Sequence, residues 1–403
     1  MTPVKRLSTS EFIALIAMLF ATIAFSIDAM LPAMPEIAET LTPDDPNRAA
    51  LIITSFVFGM GVGTLFTGPL SDAYGRRPII LWGALLYCAG AALAWAAQSL
   101  ELALLGRAVQ GLGSSGPRTA AVAIVRDLYS GRQMARIMSF VFIVFSIVPA
   151  LAPTLGAGII ALSGWRGIFA AFILFSFISA GWLWLRQPET LPPSARRPFT
   201  LNLLWQGLQE VLSNRVVYLT IAAQTLAMAC LFSVLSSTQQ IFDQTFGQGA
   251  VFHLWFALIA FFAAASSAVN AQVVVRFGMR KVVRGALAMQ IAMASAFFIS
   301  TQLPLSAGPY LAAYVVWTMS IFFMLGLTLG NLNAIALEPM GHIAGLTASV
   351  VGSVSTVGSV IFAIPLAMQF NGTPTPIAAG IVLLTLTAYA IMRVLGSRDE
   401  APA

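Results

Sequence analysis

Long apolar runs separated by short polar breaks make up nearly the whole chain. Twelve of these runs come close to the roughly 20 residues that a helix needs to cross a ~30 Å hydrocarbon core. They fall at 11–33, 49–70, 78–98, 101–125, 134–161 and 165–186, then at 215–240, 250–275, 281–302, 305–335, 343–369 and 374–395. Within hydrocarbon, backbone polar groups are paired either inside a helix or around a closed barrel. A barrel would show alternation with a period of two, which is absent here. The pattern therefore predicts an all-α integral membrane protein with twelve transmembrane helices.

Composition supports lipid over water as the surrounding solvent. Of 403 residues, 58% are hydrophobic and 9% charged, against roughly 25% charged in a soluble domain. The mean hydropathy of +0.87 is too high for one buried core. Lys5 and Arg6 ahead of an apolar stretch have the look of a signal peptide. The stretch is too long for one and contains Asp28, so it reads as an uncleaved first span.

The net charge of +6 suggests nucleic acid until the charges are placed. With both termini inside, only Arg48 and Arg166 lie outside, and Arg107 and Arg118 fall within a span. The other 17 of the 21 basic residues sit in inner segments. This bias orients the protein with cytoplasmic termini and removes the need for a nucleic-acid partner. The longest inner segment, 186–215, is rich in Pro and Arg. It divides an N-terminal six-helix bundle, 1–186, from a C-terminal one, 215–403, with 187–214 as a cytoplasmic linker. The halves repeat weakly: YGRRPIILWGAL at 74–85 matches FGMRKVVRGAL at 277–287, although Val275 stands opposite Asp72. A parallel repeat of this kind places a substrate site at midplane between the halves.

Cys88 and Cys230 lie inside apolar runs, and His253 and His342 lie near span ends. With no metal-ligand spacing, phosphate loop or GxSxG, we expect no metal, no cofactor and no catalytic residue. An enzyme or a sensor would need a catalytic cluster or an appended soluble domain, and neither is visible.

The informative residues are the polar ones that the pattern does not require. In GPLSDAYGRRP, residues 68–78, Gly75 and Pro78 reverse the chain, and Arg76 and Arg77 suit an anionic headgroup layer at ~1 kcal/mol each. Asp72 has no such topological reason. It reads either as a solvated turn carboxylate or as a partner for a helix N-terminus or an arginine. Asp28 lies within a span, where a carboxylate marks an ion or proton path. It is ~25 Å from the inner end of its helix, and Arg107 is ~9 Å deep from the outside. The two therefore sit at comparable depth and form a candidate proton-coupling pair. The alternatives are that Asp28 only supports Arg107, or that it sits at the outer surface near Pro32. Gln110 shares a helix face with Arg107. Arg118 either lines a cavity or snorkels to the interface. Gln224 and Asn331 are candidate cavity residues of the second half. Pro149, Pro153, Gly156 and Gly158 permit bending or close packing of the fifth span.

These stretches also carry a resemblance. GPLSDAYGRRP resembles the inner-loop signature of the major facilitator superfamily. DAMLPAMPEIA at 28–38 is similar to the D-x-x-L-P-A-x-P pattern of its Bcr/CflA drug-resistance branch. LLGRAVQGLGSSG at 104–116 resembles the R-x-x-Q-G motif of drug:proton antiporters, and AIVRDLYSGRQMARIMS continues the branch's pattern. PALAPTLGAGI at 149–159 resembles the antiporter Pro/Gly motif in degraded form, matching best at Pro153 and Gly156.

The resemblance implies a proton-coupled exporter of small amphipathic compounds, antibiotics and dyes, working by alternating access. Its partners would be a small-molecule substrate, protons and the lipid of a bacterial inner membrane, and one chain would suffice as a monomer. Asp72 would latch the inner ends of the halves, with Gly75, Arg76 and Arg77 around it and Arg126 as its partner. Pro149, Pro153 and Gly156 would serve the antiport motion. The competing expectation is a dedicated exporter of one sugar, amino acid or peptide on the same fold.

Overall fold

The computed structural model describes residues 7–396, less the side chains at 135, 146 and 203. Lys5, Arg6 and Arg398 lie outside the described residues. The described residues form fourteen α-helices joined by short turns. They are α1 (Thr9–Asp28), α2 (Met34–Leu41), α3 (Leu51–Tyr74), α4 (Arg76–Trp95), α5 (Leu100–Leu128), α6 (Gly131–Ser163) and α7 (Arg166–Arg186). After them come α8 (Leu201–Ser213), α9 (Arg215–Gln240), α10 (Phe252–Phe277), α11 (Met279–Ser300), α12 (Ala307–Leu337), α13 (Ala344–Ala367) and α14 (Thr375–Val394).

Ten stretches are long and apolar enough to cross a membrane; one of them, Ala307–Ala367, holds both α12 and α13. Adding α5, whose sequence is less apolar, gives the twelve spans the pattern predicts. The chain is a multi-pass membrane protein. Large apolar side chains face outward, as at Leu162, Val275 and Phe261, where lipid replaces water and such surface carries no penalty.

Local chemistry sets the helix ends. Ser8 caps α1 through the Glu11 N–H, Ser99 caps α5 through the Leu102 N–H, and Asn214 caps α9 through the N–H groups of Val216 and Val217. The first span does not run straight to its end. α1 stops at Asp28, a short 3₁₀ turn carries Pro32, and α2 follows. Proline lacks the N–H that would continue the ladder, so the helix breaks beside the carboxylate.

Chain contacts divide the protein into two compact units. One comprises the chain up to Pro43 with Ser55–Trp205; the other comprises Asp44–Thr54 with everything from Gln206 on. The short segment 44–54 is tied into the second unit by Asn47. Its amide donates to the Met368 and Phe370 carbonyls at 3.1 and 2.8 Å, and its oxygen accepts from Gln240 at 3.0 Å.

In the first unit α5 packs backbone-close on both α3 and α4. A Cβ on Gly83 would come within 2.7 Å of the Gly113 carbonyl, and one on Gly106 within 2.6 Å of the Ala94 nitrogen. Side chains at Gly90 and Gly113 would collide with the backbones of Gln110 and Tyr87, and at Gly111 with the Phe56 carbonyl. Small residues at these crossings allow the close approach on which helix association in lipid depends.

The second unit is held differently. Phe297 stacks on Trp317 at 4.5 Å, and the Tyr314 hydroxyl meets Thr238 Oγ1 at 3.1 Å. Asn331 donates to Asn270 at 2.8 Å, joining α12 to α10. The internal repeat is visible in the backbone. Gly75 and Gly278 occupy matching turns, with φ/ψ of 106°/161° and 79°/155°, a conformation in which only glycine is unstrained.

Gly113→Val should overpack the α4–α5 crossing and cost about 1–3 kcal/mol or more, whereas Gly285→Ala, with nothing within 4 Å of its added carbon, should be tolerated. Thermal unfolding of the two variants in detergent, followed with a thiol-reactive dye, compares them directly.

Candidate functional site

Two polar networks are built into the first unit. The deeper one centres on Arg107 of α5, which has no exposed surface. Its Nη1 donates to Gln110 Oε1 at 2.7 Å, one helical turn on, and its Nη2 donates to the Ser26 carbonyl of α1 at 3.0 Å. The guanidinium lies 4.5 Å from the centre of the Phe56 ring and 5.9 Å from that of Phe172. Aromatic faces attract a planar cation, and more strongly where water is excluded. Ser26 Oγ also meets the Tyr87 hydroxyl at 2.5 Å. Arg107 is thus held by α1, α3, α5 and α7 together.

Asp28 ends α1 two residues beyond Ser26. It is 7% exposed and has no hydrogen-bond or ion-pair partner among the described residues. Asp28 and Arg107 make no direct ion pair among the described residues; the guanidinium bonds Gln110 and the carbonyl of Ser26, two residues before Asp28. The Gln110 Nε2 is buried with no partner, so this network keeps a spare donor. The span-five motif reaches the same place. A side chain at Gly156 would collide with the Ala29 carbonyl, so the α6 backbone rests on the turn immediately after Asp28. Pro153 is buried on α6, Pro149 is half-buried, and Gly158 faces outward.

Arg118 is exposed on α5. Eleven residues on, it returns to nearly the same helix face as Arg107, ~16 Å further along the axis. In the second unit, Gln224 is buried on α9 with its Oε1 unpartnered. Asn331 is engaged by Asn270 and by the Leu327 carbonyl.

The second network lies where α3 turns into α4. Asp72 Oδ1 pairs with Arg76 Nη1 at 2.5 Å, and Arg76 Nε pairs with Asp127 Oδ2 of α5 at 3.0 Å. Ser71 accepts a further bond from Arg76 Nη1. The carboxylate of Glu189 receives the backbone N–H groups of Arg76 and Arg77, each at 3.0 Å, and those of Thr190 and Leu191 at 2.9 Å. An anion at the first turn of α4 is favoured by the exposed N–H groups and the helix dipole. Arg77 lies 4.1 Å over the Trp184 ring and donates to the Trp184 carbonyl. A side chain at Gly75 would stand 2.6 Å from Glu189 Oε2, so this glycine answers both to its φ and to the carboxylate.

Here the arrangement differs from expectation in one partner. Arg126 is exposed and makes no bond to Asp72 among the described residues; its neighbour Asp127 is the residue that reaches the cluster. Sequence reasoning also missed Glu189. The available signal was an acid just after a span, in a linker otherwise basic and proline-rich. No metal-binding group of His, Cys, Asp and Glu occurs among the described residues.

The sequence profile of the Major Facilitator Superfamily matches residues 14–363. The chain belongs to this superfamily. It is similar to a bicyclomycin resistance protein homolog of Haemophilus influenzae, 28% identical over 396 residues covering 96% of this chain and 95% of the relative. A chloramphenicol resistance protein of Pseudomonas aeruginosa is 26% identical, covering 94% and 89% of the two chains. Among solved structures, the xylose transporter XylE of E. coli, in a partially occluded inward-open conformation, aligns with a TM-score of 0.72 at 12% identity. That alignment covers 96% of this chain and 97% of the other, which shows the superfamily fold.

Asp127→Ala removes a partner from a nearly buried guanidinium and should destabilise the protein by about 2 kcal/mol, while Arg126→Gln should stay within about 0.5 kcal/mol. Melting temperatures of the two purified variants test this ordering. Glu189→Gln, which keeps the shape but removes the charge at the α4 N-terminus, should cost about 1 kcal/mol.

Proposed function

We propose that this chain is a proton-coupled secondary exporter of small amphipathic compounds, working by alternating access as a monomer in a bacterial inner membrane with both termini cytoplasmic. The export reading is supported by the likeness to resistance proteins over almost the full length, which makes bicyclomycin and chloramphenicol the first substrates to try. The proton coupling is carried by one observation: Asp28 is buried at the break in the first span with no ion-pair partner among the described residues, two residues from the Ser26 carbonyl that holds Arg107.

A carboxylate so placed has a large electrostatic effect on its surroundings, because nothing adjacent cancels its charge. In this reading Asp28 takes a proton from the outer side and gives it up to the inner side. When ionised, it draws on a cationic or hydrogen-bonding substrate, on the spare Gln110 amide, or on Arg107. The Arg107–Ser26 bond links that change to α5, and the Gly156–Ala29 contact links it to α6. Arg107 keeps its charge throughout and acts as a tuning residue rather than a proton carrier. Gln224, Asn331 and Arg118 are each proposed as polar groups that meet substrate. Asp72, Gly75, Arg76 and Arg77, with Asp127 in the place expected of Arg126, are proposed to belong to the conformational latch, and Pro149, Pro153 and Gly156 to the antiport motion.

Adding chloramphenicol or bicyclomycin to purified wild-type protein in weakly buffered detergent should release protons, and Asp28→Asn should bind the compound without releasing any. Continued release from Asp28→Asn would move coupling to another group, and absence of any drug binding to the wild type would point to a dedicated metabolite. Arg107→Lys keeps the charge but loses the forked donors and the ring contacts. In inverted vesicles it should reduce proton-driven uptake by at least about tenfold, as expected for roughly 1.4 kcal/mol of lost interaction.

A further inference from the structure

The helix of the linker, α8, presents three faces. Leu204, Gly207 and Val211, spaced three and four apart, are buried. Gly207 lies against the Leu346 side chain of α13, and Glu210 Oε1 meets His342 Nε2 at 2.7 Å. These contacts fasten the helix to the second unit where α12 gives way to α13. Asn214 follows directly and caps α9, so α8 lies at the end of a spanning helix. Asn202, Gln206, Gln209 and Glu210 make the polar face.

The third face is apolar and largely uncovered, with Leu208 half-buried at its centre. Leu201, Trp205, Leu208 and Leu212 follow one another at intervals of four, three and four, which aligns them along one side of a helix. Leu201 is 68% exposed, Trp205 58% and Leu212 39%. The exposed Arg196 and Arg197 precede the helix and the exposed Arg215 follows it. The one acid on the helix, Glu210, lies on the polar side and is occupied by His342.

We propose that α8 is an interfacial helix whose Leu201–Trp205–Leu208–Leu212 face inserts into an anionic leaflet, with Arg196, Arg197 and Arg215 at the lipid phosphates. Three observations support this occupant over a protein partner. The helix is joined without a spacer to a membrane span, so its apolar face continues the surface that already meets lipid. Its termini carry the charge that matches anionic headgroups. Its large exposed aromatic is tryptophan, whose apolar ring and polar N–H suit the boundary between headgroup and acyl chain. The inference does not depend on the exporter reading.

Nitroxide probes at Trp205→Cys and, as a control, Gln209→Cys, each in a Cys88→Ala, Cys230→Ala background, test it in vesicles. Phosphatidylglycerol–phosphatidylcholine mixtures are compared with phosphatidylcholine alone. In the anionic vesicles the probe at 205 should collide with oxygen several-fold more, relative to a water-soluble nickel chelate, than the probe at 209. That ratio should fall in the zwitterionic vesicles. Equal exposure of both probes to nickel overturns the proposal, as does shielding of 205 from both reagents, which means a protein surface such as a second copy covers it. Insertion that ignores lipid charge overturns the role of the arginines. The wild-type chain gives a check free of folding effects. Photoactivatable phosphatidylglycerol should label the tryptic peptide 197–215, and labelling confined to other peptides overturns the proposal.

Discussion

Hydrocarbon offers no hydrogen-bond partner, so a guanidinium at the depth of Arg107 has to be surrounded by protein. That requirement organises the first unit. Arg107 reaches a backbone carbonyl on α1, an amide on its own helix and two aromatic rings on α3 and α7. Such short reaches are available only if α5 stands close to its neighbours. Glycine at 106, 111 and 113 on α5, and at 83 and 90 on α4, removes the side chains that would hold the helices apart. The same glycines and polar residues make α5 the least lipid-like of the twelve spans.

The two units repeat a backbone but not its chemistry. Gly75 and Gly278 take the same turn conformation between the second and third spans of their halves. Around Gly75 three carboxylates converge, from Asp72, Asp127 and Glu189. Around Gly278 the position of Asp72 is an exposed valine, and Arg280 finds Glu338 only at 3.7 Å. The first unit therefore has a tightly bonded end and the proposed coupling group near its middle. The described interior of the second relies on aromatic stacking and on neutral amides and hydroxyls.

The proposed coupling rests on how Asp28 is connected rather than on its burial alone. It sits at a helix break, its neighbour Ala29 lies under the α6 backbone, and Ser26 is bonded to Arg107 and Tyr87. In the proposed coupling, a change of charge at Asp28 would reach α4, α5 and α6 through these neighbours. This is the physical content that the Pro/Gly stretch of α6 adds, since a side chain at Gly156 would displace the turn that holds the carboxylate.

Much of this protein was legible in its sequence because lipid imposes a simple rule on composition. Span length, helical state and the choice of Asp28, Asp72 and Arg107 as the polar residues to explain all follow from where polar residues interrupt apolar runs. The partners did not follow. Whether Arg107 bonds Asp28 or the Ser26 carbonyl depends on a few ångströms of helix rotation and on the proline-induced break after Asp28. Whether Asp72's cluster recruits Arg126 or Asp127 depends on which of two adjacent α5 residues faces α4, about 100° apart on the helix. Glu189 reaches the α4 N-terminus only because the chain after α7 folds back across it. Hydrophobic pattern determines which segments enter the membrane. Only tertiary packing, which sets the rotation and approach of each helix, decides which polar groups meet there.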